Sequence, residues 1–326
     1  PVTRSASTGS ERISAVHGVA EQAQAAASRI RRLVTKTPLV FSRAFSNDTG
    51  GRVHFKQENL QTTGSFKLRG AANRLLTLSA EQRSRGCVAA SSGNHGAAVA
   101  CAMQVLEVPG VIFVPEQTSP SKIDAIRSYG GDVRFFGTDG LDTEQHARAY
   151  ALQHDMFYLS PYNDEQVIAG QAVCGLEIIE QLPDVDIVFA AVGGGGLIGG
   201  VGSVLKTRNP AIRLVGCQPA ASPVMARSIE AGRIIEMPSE ATLSDGTAGG
   251  IETDAVTFPL NQALVDEFVL LDEEQIASAM RRYMDTEGDT IEGAAGVAIA
   301  ALLERREIVR DKDVVVIICG GNISQD

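Results

Sequence analysis

The chain has 326 residues, 44% apolar and 21% charged, with 33 glycines and 12 prolines; this is globular composition, long enough for a sizeable core, and it excludes a disordered or fibrous protein. Lysine and arginine number 29 against 39 aspartates and glutamates, a net charge of −10. No Lys/Arg-rich block interrupts that acidity, which argues against nucleic-acid recognition, because binding phosphate needs a positive face.

Taken in chain order, the first 30 residues run from a polar start into an Ala/Gln-rich stretch without the apolar core of a signal peptide. Short β-branched runs then predict strands over Arg52–Lys56, Cys87–Ala90, Val111–Val114, Val133–Phe136, Phe157–Leu159, Ile187–Val192, Leu214–Gln218 and Val314–Ile318. Helical patterns lie between them over Phe66–Leu76, Ala97–Gln104, Lys122–Tyr129, Thr143–Gln153, Val167–Glu180 and Gly293–Glu304. Such alternation predicts an α/β protein with mainly parallel, twisted sheets flanked by helices. The length is about twice a ~150-residue domain, and so many strands suit two sheets better than one. Ile187 to Leu205 runs 19 residues without a charge but holds seven glycines, so it reads as a buried strand entering a glycine loop rather than a membrane helix. Five scattered cysteines, Cys87, Cys101, Cys174, Cys217 and Cys319, form no CxxC pair and suit free thiols in a reducing compartment, pointing to a soluble cytoplasmic protein.

Three segments carry chemistry. Gly193-Gly194-Gly195-Gly196-Leu197-Ile198-Gly199-Gly200 follows an apolar strand, and converging N–H groups at a helix start would cradle a phosphate; the alternative is a tight turn. The run also satisfies GxGxxG, but the next strand ends in Gln218 where a dinucleotide site wants an acid, so a single phosphate fits better. In Thr63-Gly64-Ser65-Phe66-Lys67-Leu68-Arg69-Gly70, Lys67 opposes the dipole of the helix it opens. It is flanked by Phe66 and Leu68, whose desolvation would lower its pKa and free an amine for a Schiff base; a solvated surface lysine is the bland alternative. Ser91-Ser92-Gly93-Asn94-His95-Gly96 opens another helix and reads either as a carboxylate site or as an N-cap.

Together these segments resemble the threonine/serine dehydratase group of pyridoxal-phosphate enzymes, which have the tryptophan-synthase-β-like fold (fold type II) and include serine racemase. Pro38-Leu39, Val167-Ile168-Ala169-Gly170-Gln171 and Cys319-Gly320-Gly321-Asn322 extend the similarity from Thr35 to Asn322. The resemblance implies pyridoxal 5′-phosphate on Lys67, which would also remove the substrate α-proton. It implies phosphate binding by Gly193, Gly194, Gly195, Gly196 and Leu197, Asn94 at the 3′-oxygen, Phe66 against one ring face, and Ser91, Ser92, Gly93 and His95 around the substrate carboxylate. Cys319 would stand beside the pyridine nitrogen. A thiol would not hold that nitrogen protonated, which favours elimination of a β-hydroxyl over a long-lived carbanion. Glu292 would start a helix near the cofactor in a supporting role, and Asp245-Gly246 would pass near its ring. His17, His54, His146 and His154 read as surface or packing residues.

The resemblance further implies a large domain from residues 1–59 and 161–326, a small domain over 60–160 with the cofactor between them, and a homodimer. The expected reaction converts L-threonine, L-serine or a special substrate (3-hydroxyaspartate, phenylserine or a hydroxyectoine-pathway intermediate) to a 2-oxo acid and ammonia. Ser92 matches the proton donor of serine racemases, so racemisation is an alternative; a cofactor-fold sensor without activity is a third. The family's divalent-metal carboxylates are replaced by Gln218-Pro219-Ala220-Ala221-Ser222-Pro223-Val224, so no metal is expected there. Ending at Asp326, the sequence is expected to lack isoleucine feedback through a C-terminal regulatory domain.

Overall fold

The computed structural model describes residues 9–323 and contains two sheets. The larger has the strand order β1-β2-β10-β7-β8-β9, with β1 Leu39–Phe41, β2 Arg52–Gln57, β10 Asp313–Ile318, β7 Ile187–Ala191, β8 Arg213–Pro219 and β9 Glu267–Leu271. Only β1 runs antiparallel to its neighbour. The smaller sheet is parallel throughout, in the order β5-β4-β3-β6: β5 Val133–Phe135, β4 Gly110–Val114, β3 Cys87–Ala90 and β6 Phe157–Tyr158. The near-continuous apolar runs of β7 and β10 are buried on both faces, as parallel strands between helical layers must be. The uncharged stretch beginning at Ile187 divides into β7 and the helix Gly196–Arg208, with the glycine turn between them.

The helix Gly293–Glu304 is built almost entirely of Ala, Gly, Val, Ile and Leu and is buried nearly all round, which is why its sequence shows so little amphipathic contrast. A second core lies under the small sheet around Val99, Ile112, Ile126 and Leu159.

Four chain reversals converge on one side. The carboxyl end of β2 leads by a short 3-10 turn to Lys67, that of β3 to Ser91–Gly96, that of β7 to the tetraglycine run, and that of β10 to Cys319. Ligands of open parallel sheets bind in the crevice outside these carboxyl ends. An antiparallel bridge pairs Ser65 with Gly320, and the Phe66 N–H donates to the Cys319 carbonyl at 3.0 Å, so the two segments are stitched together.

Behind this stitch lies a buried charge quartet. Arg69, 0% exposed, donates to both oxygens of Glu58 (2.7 and 2.8 Å) and of Glu177 (2.7 and 2.8 Å). Lys56 donates to Glu177 at 2.6 Å and to the Thr37 carbonyl at 2.7 Å. Burial alone would push the Glu58 carboxyl up, but the Arg69 guanidinium beside it holds it below its ordinary value.

Candidate active site

The strand ends enclose a cleft of about 1280 Å³ lined by Lys67, Ser91 to His95, Gly193 to Leu197, Glu292 and Cys319. On one side Lys67 opens the helix Lys67–Thr77. Its Nζ lies 5.1 Å from the centre of the Phe66 ring and 3.3 Å from the Pro161 carbonyl. Burial pulls its pKa from 10.5 down to about 8, with the Glu292 carboxylate opposing the drop.

Facing the cleft from the large sheet, the glycine run turns through Gly195 at φ 81° into the helix Gly196–Arg208. None of the N–H groups from Gly193 to Leu197 has a partner among the described residues. Five donors at a helix N-terminus make a pre-formed anion cradle. Asn261 buttresses it from behind, donating to the Gly195 carbonyl at 3.1 Å and to the Thr257 carbonyl at 2.7 Å. A side chain at 195 would meet two obstacles: left-handed backbone costs about 1–2 kcal/mol, and its Cβ would fall 2.2 Å from Asn261 Nδ2. Gly195→Ala is therefore expected to weaken pyridoxal 5′-phosphate retention by at least about tenfold, read by equilibrium dialysis; unchanged retention would remove the cradle from the site.

At the far end, Glu292 is 8% exposed and accepts from Asn94 Nδ2 at 2.7 Å and from the Cys319 thiol at 3.6 Å. Burial pushes its carboxyl up to about 7, with Asp245 adding to the rise. The Cys319 thiol is held well above its ordinary value by burial and the Glu292 charge, so it stays protonated.

A loop from the large-sheet half lines the cleft and reaches across to the helices of the small sheet. Asp245 pairs with Lys122 of the helix Pro120–Ser128 at 3.0 Å, and Glu252 pairs with Arg148 of the helix Gly140–Gln153 at 2.7 Å. Tyr162, whose hydroxyl accepts from the Glu252 N–H at 2.9 Å, lies against Gly194.

Residues 30–320 match the family described as pyridoxal-phosphate dependent enzymes. The chain belongs to that family. It is 41% identical over 305 residues, 93% of this chain and 75% of the relative, to a Thermotoga maritima protein named L-threonine ammonia-lyase. The processed form of threonine deaminase isoform 2 from Solanum lycopersicum superposes with a TM-score of 0.92 at 31% identity, covering 98% of this chain and 92% of that one. Maize serine racemase superposes at 0.89 with 31% identity, covering 94% of each.

Pyridoxal 5′-phosphate is thus the cofactor of this enzyme, and the cleft fits it: an unpartnered cradle for an anion, an amine of lowered pKa for an aldehyde, and a buried thiol and carboxyl beyond. All of the residues singled out in the sequence for this group line the cleft: Phe66, Lys67, Asn94, Gly193 to Leu197 and Cys319.

The substrate residues are less uniform. Ser91, Ser92 and Gly93 line the cleft, with Ser91 Oγ accepting from the Gly93 N–H at 3.2 Å. His95 also reaches the wall, but its Nε2 is engaged with the Leu159 carbonyl at 2.9 Å, and burial followed by the Lys67 charge drives its pKa to about 3. It is a neutral wall residue with Nε2–H spent on that carbonyl, not a cation for a carboxylate.

Gln218 is structural, donating to the Val192 carbonyl and accepting from the Ala226 N–H. His146 stacks on Phe136, His154 packs against Tyr150 and His54 against Phe41. Sequence reasoning missed Tyr162 and Lys122, which no motif marks, and the engagement of Glu292 with both Asn94 and Cys319. Among the described residues no helix is long and apolar enough to cross a membrane.

Proposed function

We propose that this enzyme is an ammonia-lyase for a 3-hydroxy amino acid, L-threonine or L-serine first, releasing a 2-oxo acid and ammonia. The observation that carries the reading is the low-pKa Lys67 amine sharing one cleft with five unpartnered N–H donors. The naming of its relatives as threonine ammonia-lyase or threonine deaminase supports it.

When bound, the cofactor supplies an electron-withdrawing ring that acidifies the substrate α-carbon. Lys67 Nζ, near pKa 8, is the base for the α-proton. The hydroxyls of Ser91 and Ser92 with the loop N–H groups orient the substrate carboxylate. The neutral Cys319 thiol would supply no negative charge to hold the ring nitrogen protonated, so a lasting carbanion is costly and departure of the β-hydroxyl with a proton is the favoured outlet. The α-proton and hydroxyl leave as water, and water is taken up again as ammonia departs. A cytoplasmic homodimer belongs to the same proposal; five buried free cysteines suit a reducing compartment.

A 2-oxo-acid assay over L-threonine, L-serine, 3-hydroxyaspartate and phenylserine tests this, and silence on all of them sinks it. Ser92 in the cleft favours one second activity, racemisation. Ser92→Ala should then abolish D-serine formation by chiral chromatography while elimination persists.

A further inference from the structure

We propose that Glu292 is a positioning residue that fixes the side-chain amide of Asn94, so that an N–H rather than the carbonyl is turned into the cofactor cleft. Asn94 is held at both ends. Its Oδ1 accepts from Asn322 Nδ2 at 2.7 Å, and Asn322 is itself anchored on the Thr63 carbonyl at 2.9 Å. Its Nδ2 gives one hydrogen to Glu292 Oε2 at 2.7 Å. A primary amide has two N–H donors, so this pairing leaves the second free, on a residue that lines the cleft.

The geometry is built for this contact. Glu292 stands at the N-cap of the helix Gly293–Glu304, yet its side chain makes no cap bond. The carboxylate turns away from the helix it begins and reaches across to the helix Asn94–Val105. Gly320 makes room, because a Cβ there would lie 2.5–2.7 Å from the three carboxyl atoms. Lys67, Cys319 and Asp245 are the other titratable groups acting on it.

The inference rests on Asn94 standing beside the bound cofactor, and its test needs no turnover, so it fails or survives apart from the choice of substrate. Pyridoxal 5′-phosphate retention is measured by equilibrium dialysis on wild type, Asn94→Ala, Glu292→Ala, Glu292→Gln and the double alanine variant, with circular dichroism to confirm the fold. Losing one hydrogen bond to a charged group should weaken retention about ten- to a hundredfold in each single alanine variant. The double variant should be no weaker than the worse single one, because both remove the same contact. Glutamine keeps an acceptor and should restore retention to near wild type. Additive losses in the double variant, wild-type retention in Glu292→Ala or in Asn94→Ala, or no rescue by glutamine would each overturn the inference.

Discussion

Replacing Lys67 by alanine is expected to abolish covalent uptake of pyridoxal 5′-phosphate and to lower ammonia release by about 10⁴-fold or more. The wild-type protein should take up the aldehyde with a pH profile that reports this one amine. Only a neutral amine attacks a carbonyl. With the pKa held at about 8 rather than 10.5, the uptake rate should climb about tenfold per pH unit up to 8 and flatten above it. At pH 7 about one amine in ten is then neutral, against about one in three thousand for an ordinary lysine. Stopped-flow absorbance of the cofactor-free protein measures this. A profile still rising at pH 10, or unimpaired uptake by the alanine variant, would place the attachment elsewhere.

The second large effect is on stability. Arg69→Met should destabilise the fold by about 3–5 kcal/mol, because it leaves two buried carboxylates facing a single ammonium. Arg69→Lys keeps the charge but cannot fork to both carboxylates, and should fall between. Arg69 lies two residues beyond Lys67 on the same helix, so the variant should also loosen the cofactor. The sign of the pH dependence follows from Glu58. Its folded pKa is depressed, so its contribution is present above the unfolded pKa and drains away as pH falls through the folded one. Urea titrations at pH 7 and in acid read both effects; equal midpoints for wild type and Arg69→Met would show that the quartet contributes nothing.

Much of this was legible in sequence because local physics demanded it. Four glycines after an apolar strand, and a lysine opposing the helix it opens, are costly patterns unless something binds there. The elements that sequence reading omits failed to advertise themselves for equally physical reasons. β1 is three residues of partly exposed edge, and β9 is a half-exposed edge strand. The helix Glu273–Glu287 does carry a signal, the reciprocal capping pair of Asp272 and Gln275, and could have been found from it. The contact between Glu292 and Asn94 could not: the two stand 198 positions apart, and a helix-starting acid by itself does not name its partner. His95 shows the converse. It lines the cleft with its motif neighbours, yet its Nε2 is engaged with the Leu159 carbonyl, a distinction invisible without a fold.

The two ion pairs that fasten the 245–252 loop to the opposite lobe reach solvent, and that sets their character. Contacts of this kind hold by at most ~1 kcal/mol apiece, and they fade as the Debye length shrinks from about 10 Å at 0.1 M to 3 Å at 1 M salt. This wall of the cleft is therefore the ionically soft part of a molecule whose interior charges are shielded from electrolyte. Potassium chloride should raise KM for the amino acid while leaving the hold on pyridoxal 5′-phosphate untouched.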